Sequence, residues 1–444
     1  MKRLLISLFC TLLVAGCFSR TNIPIGDLSN LPQDAGAFND LVPDTRLISQ
    51  PEQDAAYHRF LAAHFGPWDQ SEPVHSAEDV FWGIRVYGPK KIYGENTLPR
   101  SPGWMLRMEQ LSCMDSYPSM SRRAIAVTNT SMRVLPTLRP AFYDFAEAGE
   151  GFPFDYMQNS LVLAGTPLYA SHMSADGAWV MVESRFAFGW VPVTDIGWVD
   201  EDFAKTFRSG LYGAVIQDEV PVAKLDGSYQ FTANVGTILP YAPARPGSRR
   251  IYFHIPVRDR NGNAVLATAA LRPEVVDVMP IPATPANFSM IINNMLGRQY
   301  GWGGLYQDRD CSSSTMDLMA GFGIYLPRNS SQQVKVGQLF SLEGMDRDEK
   351  KKSIISQSTP FLTLIRKPGH IMLYIGQRNG EPVVFHSVWG LKTKTNGKLG
   401  RKIIGGAVIT TLEPGLEQPD LARPDGILLE TVYSASNLPG ITEK

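Results

Sequence analysis

The run from Tyr300 to Gln333 constrains the fold of this chain more than any other part of the sequence. Three glycines within residues 301–304 permit close backbone approach and unusual dihedral angles. Asp310 then precedes Cys311 and three serines, and an apolar segment follows that ends near Gly321. The pattern predicts a helix whose first turn holds Cys311 and whose N-terminus is capped by Asp310 or a neighbour.

A helix N-terminus is a favourable setting for a reactive thiol. Its free N–H groups and partial positive charge favour the thiolate, and the same groups can bind the oxyanion of an acyl-transfer intermediate. The cysteines are Cys10, Cys17, Cys113 and Cys311, so a disulfide framework is not expected. Cys113 has no histidine beside it and is interpreted as a small, buried or half-buried thiol. Cys311 is therefore the candidate nucleophile.

A cysteine nucleophile needs a base, and two histidines occur in one predicted hairpin. His370 begins an alternating strand, and His386 lies in the returning strand after the turn Asn379-Gly380. This turn is expected to place His370 almost opposite His386, with both rings on one side of the sheet. We expect one ring to take the thiol proton and the other to hold its partner's orientation and tautomer.

The segments before residue 300 predict two helices and a long stretch of short strands. One helix is expected over residues 51–68, and another after residue 284, where Thr284 can cap it and Pro285 suits its first turn. Between about 121 and 275, apolar alternation with turns every eight to twelve residues or so is typical of small β-barrels.

The first residues have the features of a bacterial lipoprotein signal. Two basic residues precede an apolar run, Leu4 to Val14, that is too short to span a bilayer as a helix. The run ends in Val-Ala-Gly-Cys17, which resembles a lipobox, so we expect cleavage before Cys17 and acylation of its thiol. Ordinary signal cleavage beside an unrelated cysteine is the alternative. Lipidation would place the protein in the cell envelope, on the periplasmic face of the inner or outer membrane.

The net charge argues against nucleic acid as a partner, and the spacing of possible ligand residues argues against a metal. The formal net charge is -1, which gives no electrostatic basis for binding nucleic acid. The sequence has no cluster with metal-ligand spacing, so neither a metal nor another cofactor is expected. We expect a monomer.

Five short motifs within residues 300–387 resemble those of the NlpC/P60 family of cysteine peptidases, in the same order. They are Y-x-W-G-G, D-C-S, L-P-R-x-S-x-Q-Q, G-H-I-x-x-Y-I-G and F-H-S. The resemblance implies that Cys311 is the nucleophile, His370 the general base and His386 the residue that orients the base. It also implies that Tyr300 helps to stabilise the site near the thiol.

The same resemblance implies how substrate would be held. In relatives with SH3 domains, an Asp and a Ser flanking the nucleophile help to bind the free amino end of a peptidoglycan stem peptide. By analogy these residues are Asp310 and Ser312, and Trp302 is also predicted to bind substrate. For Asp310, a helix cap without substrate contact is the alternative.

The resemblance extends to earlier segments of the chain. The segment GTPLYASHMSADGAWV resembles a bacterial SH3 domain. The predicted fold class is α+β, with a papain-like NlpC/P60 catalytic domain preceded by two small SH3-like β-barrels and a helical or irregular N-terminal region. The predicted boundaries are 1–16 for the signal peptide, 17–120 for the linker and clip-like helical region, 121–203 and 204–279 for the barrels, and 280–444 for the catalytic domain.

The expected function is peptidoglycan hydrolysis. The enzyme would cleave the amide between γ-D-glutamate and the diamino acid of stem peptides or muropeptides through an acyl-enzyme on Cys311. Two alternatives remain open at this point. The same residues could serve an N-acetylmuramoyl-L-alanine amidase or another papain-like acyl transferase, or the chain could be a non-catalytic wall-binding lipoprotein, which predicts a broken triad.

Overall fold

The computed structural model describes residues 23–208, 210–244 and 247–438. The predicted signal peptide and Cys17 lie outside these ranges. Within them, no helix is long and apolar enough to cross a membrane.

Short helices dominate the chain before residue 117. They are α1 (Gly26–Asn30), α2 (Gln50–Phe65), α3 (Ala77–Val80), α4 (Trp82–Tyr87) and α5 (Pro102–Ser112). The helix α2 is the one predicted over residues 51–68, and it begins where the Glu52 carboxylate accepts a hydrogen bond from the Ser49 backbone N–H. It stops where Gly66 and Pro67 start a 3-10 turn.

A seven-stranded antiparallel sheet follows, with the order β3-β2-β6-β5-β4-β1-β7. Its strands are β1 (Arg122–Ala126), β2 (Thr130–Arg133), β3 (Gln158–Val162), β4 (Pro167–Met173), β5 (Trp179–Glu183), β6 (Phe188–Pro192) and β7 (Ile196–Trp198). Small and branched side chains fill its interior, among them Ala124, Val162 and Val180. After β7, α6 (Glu201–Phe207) begins at Asp200, whose carboxylate accepts from the Phe203 backbone N–H.

Seven more strands form three small antiparallel sheets, β10-β9, β11-β8-β14 and β12-β13. The strands are β8 (Tyr212–Val215), β9 (Val220–Ala223), β10 (Tyr229–Ala233), β11 (Ile238–Pro240), β12 (Ile251–Arg258), β13 (Ala264–Leu271) and β14 (Val276–Val278). They pack around one apolar core that contains Phe231 and Phe253. The two sheet regions agree with the two β-barrels predicted from alternation and turn spacing.

The last part of the chain combines helices with a six-stranded antiparallel sheet of order β15-β20-β16-β17-β18-β19. Its helices are α7 (Pro285–Met295), α8 (Cys311–Gly321), α9 (Ser330–Gln333), α10 (Arg347–Gln357) and α11 (Leu428–Thr431). Its strands are β15 (Gln338–Ser341), β16 (Thr363–Lys367), β17 (His370–Arg378), β18 (Glu381–Thr395), β19 (Lys398–Thr411) and β20 (Ser434–Asn437). As predicted, Thr284 caps α7 by accepting from the Asn287 backbone N–H, and Pro285 is in its first turn.

Every residue of α8 is buried, and polar contacts tie its start to the second group of strands. Arg309 donates two hydrogen bonds to the Asp218 carboxylate, at 2.8 and 2.9 Å, and one to Asp317 at 2.7 Å. All three side chains are buried. Moving the arginine away from either carboxylate would leave a buried charge without its partner. The network therefore fixes the positions of the three side chains. The residue before Asp310 and Cys311 is thereby held in place.

Candidate active site

Cys311 is the first residue of α8, and the cap before it determines its position. The Asp310 Oδ1 accepts a hydrogen bond from the Ser313 backbone N–H at 2.8 Å, and the Ser313 hydroxyl accepts one from the Asp310 N–H at 3.0 Å. The sequence predicted a cap at Asp310 or a neighbour, and the structure adds the reciprocal bond with Ser313. Cys311 is 8% exposed and lines a cleft. Among the described residues, both Cys311 and the half-buried Cys113 are free thiols.

Two histidines and a threonine form a hydrogen-bonded chain beside this cleft. The His370 Nε2 lies 2.8 Å from the His386 Nδ1, and the His386 Nε2 lies 3.1 Å from the Thr410 Oγ1. The Thr410 hydroxyl donates to the Thr411 carbonyl at 2.7 Å, so its oxygen is left to accept from the His386 Nε2–H. The His386 Nδ1 then accepts from the His370 Nε2–H. This hydrogen-bond pattern assigns an unprotonated Nδ1 to His370, the form that a general base needs.

The hairpin brings the histidines together by a different register from the predicted one. Leu373 pairs with Phe385, so His370 lies diagonal to His386 instead of almost directly opposite. The turn is centred between Asn379 and Gly380, both with positive φ, and β17 carries a bulge after Tyr374. The side of the sheet is nevertheless the predicted one, because the two ring centroids are 5.1 Å apart.

Thr410 is a member of the site that the sequence did not reveal. It lies on β19, where Val408 is the residue directly paired with His386. Thr410 is two residues further along and is fully buried. A threonine in an apolar strand normally indicates β-structure alone. The available signal was the polar hydroxyl on the buried face of a strand next to the histidine hairpin.

Burial controls the protonation of the thiol. It raises the pKa of Cys311 to about 12, and the adjacent Asp310 carboxylate adds to this effect. A hydrogen bond from the Ile371 backbone N–H and the positive charge of Arg328 act in the opposite direction without reversing it. The expected preference of the helix start for thiolate is therefore outweighed by desolvation in the free cleft.

Burial also disfavours the charged form of the two histidines. Burial lowers the pKa of His370 well below its usual value, and the neighbouring His386 and the Lys367 charge lower it further. Burial lowers the pKa of His386 to about 3. The free cleft therefore holds a neutral thiol at Cys311 and a neutral imidazole at His370.

Asp310 is saturated with hydrogen bonds. Arg328 donates to both carboxylate oxygens, at 3.2 and 2.6 Å, and the Gly303 N–H and Ser312 hydroxyl each donate at 3.1 Å. Burial acts to raise the pKa of Asp310, but the charge of Arg328 and the hydrogen bonds from Arg328 and Ser313 bring it below its usual value. Asp310, Ser312 and Trp302 all line the cleft. Asp310 therefore caps α8, as one of its two interpretations requires. Contact between Asp310 and a substrate amine remains a prediction.

Tyr300 lies where the two halves of the cleft meet. It lines both a half of about 270 Å³, which contains Cys311, and a half of about 180 Å³, which contains His370. Burial raises its pKa far above the usual value, and the Cys311 and Asp310 charges reinforce the shift. The phenol therefore stays protonated and can donate a hydrogen bond.

The larger half of the cleft is closed by residues from outside the C-terminal sheet. Trp82 and Tyr87 of α4 and Gln158 of β3 line it. The Gln158 side chain donates to the Gly303 carbonyl at 3.0 Å. Gly303 has a φ of 61°, and a Cβ there would lie 2.5 Å from the Gln158 carbonyl oxygen. This close approach requires the glycine, and it joins the first sheet to the start of the active-site loop.

The structure thus brings together all the predicted site residues in the described part of the chain. In those same ranges, no group of three or more His, Cys, Asp and Glu residues is arranged to hold a metal ion. The lipidation site Cys17 lies outside them.

Four protein-family models match successive parts of the chain. The NLPC_P60 stabilising domain, N term, matches residues 6–117; an SH3 domain of SH3b1 type matches 140–192; one of SH3b2 type matches 200–246; and the NlpC/P60 family matches 297–387. No curated protein sequence matches the chain.

One solved structure gives the same assignment, and a second, less similar one is also matched. An NlpC/P60 endopeptidase from Photobacterium damselae subsp. piscicida is 28% identical, with a TM-score of 0.82 over 94% of this chain and 98% of its own. An NlpC/P60 family protein from Bacillus cereus ATCC 10987 is 16% identical, with a TM-score of 0.46 over 71% of this chain and 100% of its own. With its N-terminal stabilising region, two SH3b-type domains and C-terminal peptidase domain, the chain belongs to the NlpC/P60 family.

Proposed function

We propose that this protein is a cysteine endopeptidase of the cell wall that cleaves the amide between γ-D-glutamate and the diamino acid of peptidoglycan stem peptides. The observation that carries the proposal is Cys311 at a capped helix start, where its thiol accepts a hydrogen bond from the backbone of Ile371. The preceding residue, His370, begins the chain of hydrogen bonds through His386 and Thr410. An intact set of this kind argues against a purely wall-binding role.

The chemistry follows from the protonation states. As substrate enters, the Cys311 thiol proton passes to the His370 Nδ1 and the sulfur attacks the γ-carbonyl carbon of D-glutamate. The Tyr300 phenol, which stays protonated, would donate a hydrogen bond to the oxyanion that forms. Collapse of this intermediate breaks the C–N bond, and His370 returns the proton to the leaving amine. Water then attacks the thioester with His370 as base, which releases the γ-carboxylate and restores the thiol.

The anchor forms a separate part of the proposal. Acylation of Cys17 would hold the enzyme at the membrane surface of the cell envelope, facing the wall. Cells grown with a radiolabelled fatty acid are expected to label the parent protein but not Cys17→Ser, and the variant should leave the membrane fraction. Equal membrane association of the two proteins would refute lipid anchoring.

The cleavage site is tested with muropeptides and mass spectrometry. The proposal predicts a new free amine on the diamino acid, and faster cleavage when the stem peptide begins with a free alanine amine. Cys311→Ala should abolish cleavage, whereas Cys113→Ala, which removes the other free thiol among the described residues, should leave it unchanged. Release of the whole stem peptide with a free alanine amine, which leaves the lactyl carboxylate on the sugar, would indicate an amidase instead, and cleavage by Cys311→Ala would exclude the mechanism.

A further inference from the structure

Strands β18 and β19 continue past β17 as a basic hairpin, residues 390–403. Strand β17 pairs with β18 over residues 381–385, so the hairpin extends beyond this neighbour. The hairpin carries five cations and no carboxylate: Lys392, Lys394, Lys398, Arg401 and Lys402. The loop that runs beside it, residues 417–425, has three carboxylates and one arginine, so the two segments together keep an excess of three positive charges.

The tip of the basic hairpin, residues 394–399, is exposed at every position. Lys394 pairs directly with Leu399, so these two side chains share one face. Leu399 is 54% exposed, and Ile403 on the same face is 50% exposed. In the described ranges, no carboxylate forms an ion pair with Lys394 or Lys398. Exposed apolar side chains among unpaired cations are typical of surfaces that meet the headgroup layer of a membrane.

The first described residue lies against the opposite face of the same hairpin. The Lys402 ammonium donates to the Ile23 carbonyl at 2.8 Å, and the Gln418 amide donates to the same carbonyl at 3.2 Å. Cys17, the proposed lipidation site, precedes Ile23 by six residues, and six extended residues span at most about 20 Å. An acyl anchor on Cys17 would therefore keep Ile23, and the hairpin beside it, close to the membrane surface.

We propose that the tip binds the anionic headgroups of the membrane that carries the anchor. Lys394 and Lys398 would lie at the lipid phosphates, and Leu399 would enter the apolar edge of the headgroup layer. The proposal goes beyond peptide hydrolysis, and it rests on the proposed anchor at Cys17 for the choice of lipid over other polyanions.

This contact would set the direction in which the active-site cleft faces. Lys392 and Arg401 form the next cation pair after the tip, and both line the cleft. A few tip residues bind too weakly to hold the protein at a membrane alone, so the acyl chains supply the affinity. The tip adds a second point of attachment, which stops the protein from turning about its anchor.

The test measures how the mature chain from residue 18, which keeps every described residue and has no acyl group, sediments with vesicles. One set of vesicles contains phosphatidylglycerol and phosphatidylcholine in equal parts, and the other contains phosphatidylcholine alone. The parent should bind the anionic set more tightly, and added salt should weaken that binding. Each lysine removed in Lys394→Gln and Lys398→Gln should weaken it about fivefold, and Leu399→Asn should weaken it by a similar factor.

The matched control is the double variant Lys205→Gln with Lys352→Gln. It removes the same charge from two exposed lysines on α6 and α10, outside the hairpin, and should bind the anionic vesicles like the parent. All the variants should keep the parental melting temperature, because the substituted side chains are exposed.

Equal binding to both sets of vesicles, binding that survives in the double tip variant, or an equal loss in the control would overturn the proposal. Retention on purified wall sacculi, lost in the tip variant and without vesicle binding, would assign the tip to an anionic wall polymer instead. The result is separate from the proposed function. Tip-dependent vesicle binding supports the contact even if the protein cleaves no peptide, and a mature chain that cleaves stem peptides but ignores the vesicles refutes it.

Discussion

Replacing Thr410 by valine removes one hydroxyl from the histidine chain and almost nothing else. Valine has the same shape as threonine, so the substitution leaves no cavity in β19. The His386 Nε2–H, on a side chain that is 1% exposed, loses the acceptor that lies 3.1 Å away in the parent. Two outcomes are open to His386, and both weaken the base.

In the first outcome, His386 keeps its proton on Nε2 and the buried donor stays unpaired, at a cost of about 1–3 kcal/mol. In the second, the proton moves to Nδ1, so the His370 Nε2 has to accept and its own proton moves to Nδ1. That tautomer cannot take a proton from the thiol. If the cost of either outcome adds to the activation barrier of the reaction, kcat falls about tenfold to a hundredfold.

The assay measures kcat and KM of Thr410→Val on a stem tripeptide, well below the unfolding temperature. KM should stay near the parental value, because Thr410 lies behind His386 and not among the residues that line the cleft. Thr410→Ser keeps the hydroxyl and should retain kcat within about threefold. A parental kcat in the valine variant would refute the tautomer argument, and an equal loss in both variants would point to packing instead.

Two further predictions concern stability. Since burial lowers the pKa of His386 to about 3, the unfolded chain binds a proton at this site below its ordinary pKa of about 6.5, whereas the folded chain does not. The free energy of unfolding should therefore fall as the pH decreases from 6.5 towards 3, and urea titrations should give a shallower dependence for His386→Gln; an unchanged slope would contradict the assignment. Arg309→Met leaves the buried Asp218 and Asp317 carboxylates without their shared partner and should cost about 3–5 kcal/mol. The control Arg85→Met, which breaks an exposed ion pair, should cost less than about 1 kcal/mol, and equal losses would refute the role of the buried network.

Local features of the site could be predicted because adjacent residues encode them. The cap of α8 depends on Asp310 and Ser313, three positions apart, and the hairpin depends on the turn at Asn379 and Gly380. The order of the motifs supplied the resemblance to the family, and with it the expected role of Cys311.

Contacts between distant segments could not be predicted in this way. Thr410 meets His386 across two strands, and Arg328 pairs with Asp310 from the loop after α8. Trp82 reaches the cleft from a helix more than two hundred residues earlier in the chain. Nothing in the local pattern of these residues distinguishes them from ordinary core or surface positions. The direction in which the pKa of the Cys311 thiol shifts could not be predicted from the sequence either, because it depends on how deeply the assembled cleft is buried.

The most direct test of the account is to trap the acyl-enzyme. The parent protein, quenched in acid during turnover of a stem tripeptide, should gain the mass of the acyl dipeptide that ends in D-glutamate. Peptide mapping should place the adduct on Cys311, and Cys311→Ala should show none. An adduct on Cys113, or turnover by Cys311→Ala, would contradict the central claim that Cys311 is the nucleophile.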